Sequence, residues 1–253
     1  MAGNRCVIVT GGSAGIGFAT AEKFLREGDR VAILSTNEQK GRAAEARLAQ
    51  LGEVMWIGCH VNDYEECVAA VAAVEQRFGA VDVLVNNAGV VSERVGFLHV
   101  DLDDVRRTLD VDVMGTINMA RAVVEGMVTR GSGTIVNVSS ICGHMANTES
   151  VGYHAAKGAV EMVTKSLARE LAGSGLRVVA VAPGWVNTEM IDETVAAVGA
   201  SLHLKGRIVE PAEIAGAIWL LTLPEASAVN GSTVMADDGY ASFKGVDGGI
   251  AAR

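Results

Sequence analysis

Positive charge is scarce in this sequence. Its 253 residues include 21 Lys and Arg against 30 Asp and Glu, which gives a formal net charge of −9. A surface of this charge repels the phosphates of nucleic acids and of anionic membranes. We therefore expect no nucleic acid as a partner and no membrane association.

Long apolar segments are also lacking. No apolar run approaches the roughly eighteen residues that cross a bilayer, and no secretory leader precedes the first apolar stretch. The chain has neither an internal repeat nor a linker. We expect a soluble protein of the cytoplasm that forms one domain over residues 1–253, with a loose glycine-rich tail at 245–253.

The four cysteines lack the spacing of a metal site. No two of them form a Cys-x-x-Cys pair, and no histidine lies at ligand spacing from them. Three of them occupy strongly apolar segments. The sequence therefore predicts no metal site and reduced, buried thiols at Cys6, Cys59, Cys67 and Cys142.

Short β-branched runs alternate with Ala-rich stretches of helical periodicity. The runs have no polar face, as is typical of strands in a parallel sheet that helices cover on both sides. The sequence thus predicts an α/β, doubly wound parallel sheet of the Rossmann-like type, with about seven strands and helices on both faces. The expected strands are 7–10, 31–34, 54–57, 81–85, 134–138, 178–181 and 233–236, and the expected helices are 19–26, 39–51, 64–78, 105–129, 153–172 and 212–221.

A glycine-rich turn follows the first expected strand. Residues 10–17 read Thr-Gly-Gly-Ser-Ala-Gly-Ile-Gly, and a helix follows. Because glycine has no Cβ, the backbone at Gly11, Gly15 and Gly17 can turn tightly and approach a pyrophosphate at the positive end of the helix. A glycine cluster by itself also fits a turn that is merely tight. Its place between a first strand and a first helix favours dinucleotide binding.

Three side chains form a second constellation. Tyr153 and Lys157 lie four residues apart on an expected helix, so both project toward the same volume. An adjacent ammonium lowers the pKa of a phenol, so Lys157 would tune Tyr153 as a general acid and base. Ser140 follows the strand at 134–138, at the sheet edge where ligands of such folds bind, and can hydrogen-bond a substrate oxygen. Each residue alone is a common surface or packing residue, and only their joint placement is informative.

Five motifs in order resemble those of the short-chain dehydrogenase/reductase family. They are the glycine turn at 10–17, Asn-Asn-Ala-Gly at 86–89, Ser140, Tyr-His-Ala-Ala-Lys at 153–157, and Pro183-Gly184 with Thr188. The resemblance extends from Cys6 to about Tyr240. It implies an NAD(P)-dependent oxidoreductase that transfers a hydride between nicotinamide and a secondary alcohol or its ketone, with one dinucleotide-binding and catalytic domain.

The resemblance also implies the site residues. Tyr153 would be the general acid and base, Lys157 would lower its pKa and hold the nicotinamide ribose, and Ser140 would orient the carbonyl, with Ser139 the weaker candidate. The other implied cofactor contacts are Gly11, Ser13, Ala14, Ile16 and Gly17 at the pyrophosphate, Ser35 and Thr36 after the second strand, His60 and Val61 at the adenine, Asn87 at the ribose, and Val186 and Thr188 at the carboxamide.

Three places depart from the family pattern, and one of them, the usual C-terminal Asp-Gly-Gly, reads Asp237-Asp238-Gly239 here and concerns a turn and assembly more than chemistry. The family usually has Asn where this chain has Asp112, and the backbone carbonyl there holds a water of the proton relay. We expect a working relay in which the Asp112 carboxylate keeps Lys157 charged and alters the titration of Tyr153; the alternative is that Asp112 points into solvent. His60 stands where the family often has Asp, and a neutral imidazole can accept the same hydrogen bond.

Cofactor preference depends on the residues after the second strand. An acidic residue there selects the 2′-hydroxyl of NAD, whereas Arg or Lys pairs with the 2′-phosphate of NADP. Residues 35–38 read Ser-Thr-Asn-Glu, and Ala14 stands where NADP-preferring relatives often carry Arg. We expect NAD rather than NADP, with Lys40 and Arg42 as the cations that would reach a phosphate.

The expected helix at 153–172 spreads apolar and small residues around more than one face. The resemblance implies a tetramer, because the family usually assembles through two long helices, here those at 105–129 and 153–172. We therefore expect a homotetramer in which these helices pack on symmetry mates; the alternative is that one subunit covers them. The substrate would be a small or medium, partly apolar alcohol or ketone. The alternatives to an oxidoreductase are a non-catalytic dinucleotide-binding regulatory protein on the same fold, and an epimerase or dehydratase, whose glycine spacing differs.

Overall fold

The computed structural model describes residues 4–189 and 193–242, without the side chains of residues 193–195. The tail expected at 245–253 lies outside the described residues. Within them, no helix combines the length and apolar character of a membrane-crossing segment. Cys6, Cys59 and Cys67 are buried free thiols, as expected, whereas the free thiol of Cys142 is only partly buried.

Seven parallel strands form one sheet in the order β3-β2-β1-β4-β5-β6-β7. This confirms the expected fold class and strand number. Most strand residues are buried, because helices cover both faces of the sheet and leave no polar face. The strands are β1 Cys6–Thr10, β2 Arg30–Ser35, β3 Val54–Gly58, β4 Val83–Asn86, β5 Gly133–Val138, β6 Leu176–Pro183 and β7 Thr233–Ala236.

Eight α-helices connect or flank the strands among the described residues. They are α1 Gly15–Arg26, α2 Glu38–Leu48, α3 Tyr64–Phe78, α4 Leu102–Leu109, α5 Gly115–Arg130, α6 Val151–Glu170, α7 Glu193–Leu202 and α8 Pro211–Leu221. The α3 helix has the bounds that the sequence predicts, and α7 occupies a segment that is not among the expected helices.

The helix expected over 105–129 is present, since the chain is helical without a break from Leu102 to Arg130, but it is not α-helical throughout. The chain forms α4, then a π-helical turn at Asp110–Met114, and then α5. A π-turn adds a residue to one turn of a helix and so changes which side chains face inward after it. Here the π-turn directs the Asp112 side chain into the protein interior, where it is buried.

The two faces of the sheet carry separate hydrophobic clusters. Ile8 and Leu84 project to one face, and their neighbours Val7 and Val85 project to the other, as the alternation of a strand requires. Full burial of such a side chain stabilises the fold by about 1.5–3 kcal/mol. Helices α3 and α5 complete the first cluster with Val74 and Met119, and α1 and α8 complete the second with Phe24 and Ile218.

Strand order reverses between β1 and β4, so the chain leaves these neighbouring strands toward opposite faces. Their carboxyl ends therefore leave a crevice, which is where open α/β sheets bind ligands. At this crevice Gly11 has a φ of +65°, a conformation that favours glycine. Gly17 faces the Gly11 carbonyl, and a Cβ on Gly17 would lie 2.6 Å from Asn87 Nδ2.

We predict that Gly17→Ala lowers the free energy of unfolding by about 1–3 kcal/mol, because the added methyl group overpacks the contact between α1 and the glycine turn. Gly216→Ala is the control. It lies within α8, and a Cβ there meets no described atom within 4 Å. That variant should gain about 0.5–1 kcal/mol from helix propensity. Urea unfolding of both variants measures the difference, and equal stability of the two would contradict the packing argument.

Candidate active site

A cleft of about 360 Å³ opens at the carboxyl ends of the central strands. It lies at the reversal of strand order, so the fold alone places a ligand site there. Of the residues that the sequence analysis named for the site, twelve line this cleft: Gly11, Ala14, Gly15, Ile16, Lys40, Asn87, Asp112, Ser139, Ser140, Tyr153, Lys157 and Thr188.

The glycine turn and the start of α1 form one wall of the cleft. Ala14 is the N-cap of α1 in an extended conformation, and no described side chain caps the helix there. The first amides of α1 therefore keep their hydrogen-bonding capacity, and the positive end of the helix dipole faces the cleft. Thr188 packs beside Gly15, where a Cβ would lie 3.3 Å from the threonine methyl carbon. This wall fits a pyrophosphate.

Asn87 joins the glycine turn to the end of β4. Its Nδ2 donates to the Thr10 carbonyl at 2.9 Å, and its backbone N–H donates to Thr10 Oγ1 at 2.9 Å. The backbone N–H of Ala88 donates to the same hydroxyl at 2.9 Å. The Asn87 side chain therefore has a structural role, in addition to the ribose contact that the resemblance implies.

The opposite wall carries the Ser140, Tyr153 and Lys157 constellation. Helix α6 presents both Tyr153 and Lys157, and the Lys157 Nζ lies 5.5 Å from the centroid of the tyrosine ring. Ser140 follows β5, and its Oγ accepts a hydrogen bond from the Cys142 N–H at 3.1 Å. A hydroxyl in this position still has its proton to donate to a ligand in the cleft.

Ser139 also lines the cleft, but its hydroxyl is engaged elsewhere. Its Oγ lies 3.2 Å from the Lys157 carbonyl and 3.3 Å from Glu161 Oε1, with hydrogen-bond geometry to both. Because both partners belong to α6, Ser139 ties β5 to that helix. The geometry agrees with the choice of Ser140 over Ser139 as the candidate that contacts substrate.

Lys157 is buried at the base of the cleft. Its Nζ donates to the Val138 carbonyl at 3.2 Å and lies 3.0 Å from Asp112 Oδ2. Burial by itself lowers the pKa of this ammonium, but the Tyr153 phenolate, where the phenol has lost its proton, and the Asp112 carboxylate outweigh burial and raise the pKa above its ordinary value. Lys157 therefore stays protonated at neutral pH.

Known proteins resemble this chain over nearly its whole length. The model of the short chain dehydrogenase family matches residues 5–198. The chain belongs to this family. A cis-4-hydroxycyclohexanecarboxylate dehydrogenase of Sinomonas cyclohexanicum is 35% identical over 93% of this chain and 96% of its own. A 3alpha-hydroxysteroid dehydrogenase of Mediterraneibacter gnavus is 34% identical over 92% of this chain and 96% of its own.

Solved structures agree with this assignment. The structure of levodione reductase superposes with a TM-score of 0.93 at 27% sequence identity, over 96% of this chain and 100% of the reductase chain. An actinorhodin polyketide ketoreductase with NADPH gives a TM-score of 0.91 at 30% identity, over 96% and 100% of the two chains. The protein is thus a short chain dehydrogenase, an NAD(P)-dependent oxidoreductase that acts on an alcohol or a ketone.

One property of this dehydrogenase differs from the expectation. The sequence predicts that Lys157 lowers the pKa of Tyr153, and the ammonium does act in that direction. Burial of the phenol is the larger effect, however, and the pKa of Tyr153 is raised above its ordinary value. Cys142 and Asp112 add to the rise, while the Ser140 hydroxyl opposes it.

Asp112 does not point into solvent, so that alternative is wrong. Its side chain is buried beside Lys157, and its Oδ1 accepts a hydrogen bond from the Val90 N–H at 2.7 Å. The Asp112 carbonyl, which the family resemblance assigns to a relay water, accepts a hydrogen bond from Thr116 Oγ1 at 2.7 Å. One lone pair of that oxygen is therefore occupied within the protein.

Seven of the expected cofactor contacts lie outside the lining of the cleft. Ser35 Oγ accepts from Trp56 Nε1 at 3.0 Å, and the His60 ring lies 3.0 Å from a Glu66 carboxylate oxygen. Val186 is buried and bridges to Val209. Their roles toward the cofactor stay predictions, as do those of the other four: Ser13, Gly17, Thr36 and Val61.

The cleft also contains Ala88, Gly89 and Glu189, to which the sequence analysis gave no role, and Lys40, which it named only as a cation that would reach a phosphate. Ala88 and Gly89 extend the Asn-Asn-Ala-Gly motif, and the position of that motif at the end of β4 was a usable signal. Lys40 and Glu189 face each other across the cleft, with Nζ and Oε2 3.8 Å apart. No sequence signal connects these two, because they lie on segments far apart in the chain.

Proposed function

We propose that this dehydrogenase transfers a hydride between nicotinamide and the carbinol carbon of a secondary alcohol, with Ser140, Tyr153 and Lys157 handling the proton. The observation that carries the proposal is their placement around one cleft, opposite a glycine turn that fits a pyrophosphate. When bound, the reduced nicotinamide supplies the hydride, and its oxidised form accepts one.

The proton steps follow from the three side chains. In ketone reduction, the Ser140 hydroxyl donates a hydrogen bond to the substrate oxygen and Tyr153 gives its phenolic proton to that oxygen. The Lys157 ammonium then stabilises the phenolate that remains. In alcohol oxidation, the phenolate of Tyr153 accepts the proton from the same oxygen. A non-catalytic regulatory protein would not need this constellation, which favours the enzyme over that alternative.

We propose NAD as the preferred cofactor. Support comes from the end of β2, where Thr36 and Asn37 offer no cation to a 2′-phosphate. Lys40 is the cation nearest to this region among the cleft residues. Its Nζ lies 3.8 Å from Glu189 Oε2, so the glutamate partly neutralises the charge that a 2′-phosphate would need. The polyketide ketoreductase carries NADPH, and that remains a statement about that protein.

We propose a small or medium, partly apolar alcohol or ketone as the substrate. The support is the wall at Val90, Val91 and Val138, which offers apolar contact next to the Ser140 and Tyr153 hydroxyls. Two relatives are named for cyclic secondary alcohols, a hydroxycyclohexanecarboxylate and a hydroxysteroid, which agrees with such a wall.

We also propose a cytoplasmic homotetramer in which each subunit is a single dinucleotide-binding and catalytic domain. Helices α5 and α6 expose apolar side chains, including Val128 and Met162, the latter 59% exposed. This supports the expectation that symmetry mates cover these helices, because exposed apolar side chains are typical of protein interfaces. The four free thiols agree with a reducing compartment.

We predict that Tyr153→Phe lowers kcat by about 10²-fold or more, the usual contribution of a general acid or base. Binding of reduced nicotinamide cofactor, followed by its fluorescence, should persist. Tyr64→Phe is the matched control, because Tyr64 is exposed at the start of α3, and it should keep normal turnover. Near-normal kcat in Tyr153→Phe would remove Tyr153 from the mechanism.

We predict a kcat/KM with NAD(H) that exceeds the value with NADP(H) by about tenfold or more, since an unmatched charged phosphate forfeits roughly 1.5–3 kcal/mol. Steady-state rates with both cofactors on one good substrate measure the ratio. Lys40→Ala should widen it, because Lys40 is the cation that would reach a phosphate. A kcat/KM ratio in favour of NADP(H) refutes the preference for NAD(H). If Lys40→Ala then reverses that ratio, Lys40 is the cause of the NADP(H) preference.

We predict that light scattering at micromolar concentration gives the mass of a tetramer. Met162→Glu should reduce that mass, because it places a charge on the exposed apolar face of α6. Val68→Glu is the control on α3, where the replaced valine is also exposed. A wild-type protein that stays monomeric would remove the interface from the proposal.

A further inference from the structure

A buried ion pair stands where the family pattern has a neutral amide. Asp112 is 1% exposed and Lys157 is 5% exposed, and Asp112 Oδ2 lies 3.0 Å from the Lys157 Nζ. Water does not screen charges at this depth, so the two groups act on each other and on their neighbours more strongly than a surface pair does.

The protein fixes the carboxylate of Asp112 in this place. The π-turn at Asp110–Met114 directs the side chain inward, and the Val90 N–H holds Oδ1 at 2.7 Å. Gly89 passes so close that a Cβ there would lie 2.9 Å from Oδ2. The lysine is equally constrained by its bond to the Val138 carbonyl. The geometry therefore leaves little freedom for either group to move away from the other.

Tyr153 experiences both charges. The groups that act on its phenol are Lys157 from the same helix, Asp112 from the π-turn, and Ser140 and Cys142 from the segment after β5. A positive charge favours the phenolate and a negative charge disfavours it. Asp112 thus cancels part of the help that Lys157 gives to the phenolate, and a neutral Asn in its place would not.

We propose that Asp112 is a positioning residue that holds Tyr153 in its protonated form by neutralising Lys157, and so suits the site to ketone reduction over a wide range of pH. This inference rests on the proposed function. In that direction the hydride and its two electrons come from the reduced nicotinamide and form the new C–H bond. The Tyr153 O–H bond breaks, and its proton completes the alcohol.

The test is a titration of Tyr153 that does not depend on turnover. Ultraviolet absorbance of tyrosinate against pH is recorded for the protein and for Tyr153→Phe, and their difference isolates Tyr153 from Tyr64 and Tyr240. We expect Asp112→Asn to move the Tyr153 midpoint to lower pH. Asp110→Asn is the matched control, since Asp110 belongs to the same π-turn but is exposed and bonds to Asn62. It should leave the midpoint in place.

The pH dependence of turnover provides the second readout. In Asp112→Asn, the pH of half-maximal alcohol oxidation should fall together with the absorbance midpoint. Below that pH, kcat for oxidation should rise by about threefold or more, because a larger fraction of Tyr153 is phenolate. KM should change less than kcat, since the substrate-binding side chains stay the same.

Each outcome bears on the proposal. An unchanged midpoint in folded Asp112→Asn overturns it, whatever the activity of the variant. If that variant does not fold, Asp112→Ser removes the same charge with less bulk. The wild-type protein gives an independent test, because a Tyr153 midpoint below that of an ordinary tyrosine overturns the proposal. A shifted midpoint in a protein that turns over no ketone or alcohol supports the role of Asp112 and contradicts the proposed function.

Discussion

A row of buried hydrogen bonds across the carboxyl ends of the central strands holds the two walls of the cleft in register. The bonds between Asn87 and Thr10 join β4 to the glycine turn. One position earlier, Asn86 Nδ2 donates to Asn137 Oδ1 at 3.0 Å, which joins β4 to β5. Asn137 Nδ2 in turn donates to Thr164 Oγ1 of α6 at 2.9 Å. The dinucleotide wall and the helix that carries Tyr153 and Lys157 are thereby connected through side chains.

This row explains why polar residues occupy an apolar core. A buried amide that loses its partner costs about 1–3 kcal/mol, so each member of the row is retained only while its neighbours satisfy it. A sheet held together by backbone bonds alone would fix the strands but not the distance from the glycine turn to α6. Hydride transfer is sensitive to displacements of about 1 Å, and a rigid support of this kind supplies the required precision.

The sequence allowed the strands, the glycine turn and the Ser140, Tyr153 and Lys157 constellation to be predicted, because each has a local pattern or a fixed spacing. The π-turn has no such signal, because residues 105–129 are helical in periodicity and that periodicity does not mark the extra residue at Asp110–Met114. The pKa direction of Tyr153 was also beyond the sequence. It depends on how much burial outweighs one ammonium, and that balance exists only in the folded chain.

The π-turn also belongs to the polar row, which links the charge at Asp112 to the architecture. Asn86 Nδ2 lies 3.3 Å from the Thr116 carbonyl, and Thr116 Oγ1 donates to the Asp112 carbonyl. Removal of either Asp112 or Lys157 would leave the other charge buried without compensation, which costs about 3–5 kcal/mol. An amide oxygen at position 112 could accept the same hydrogen bond from the Val90 N–H, so the turn itself needs only an acceptor there. The negative charge acts instead on Lys157, which it compensates, and through Lys157 on the charge at Tyr153.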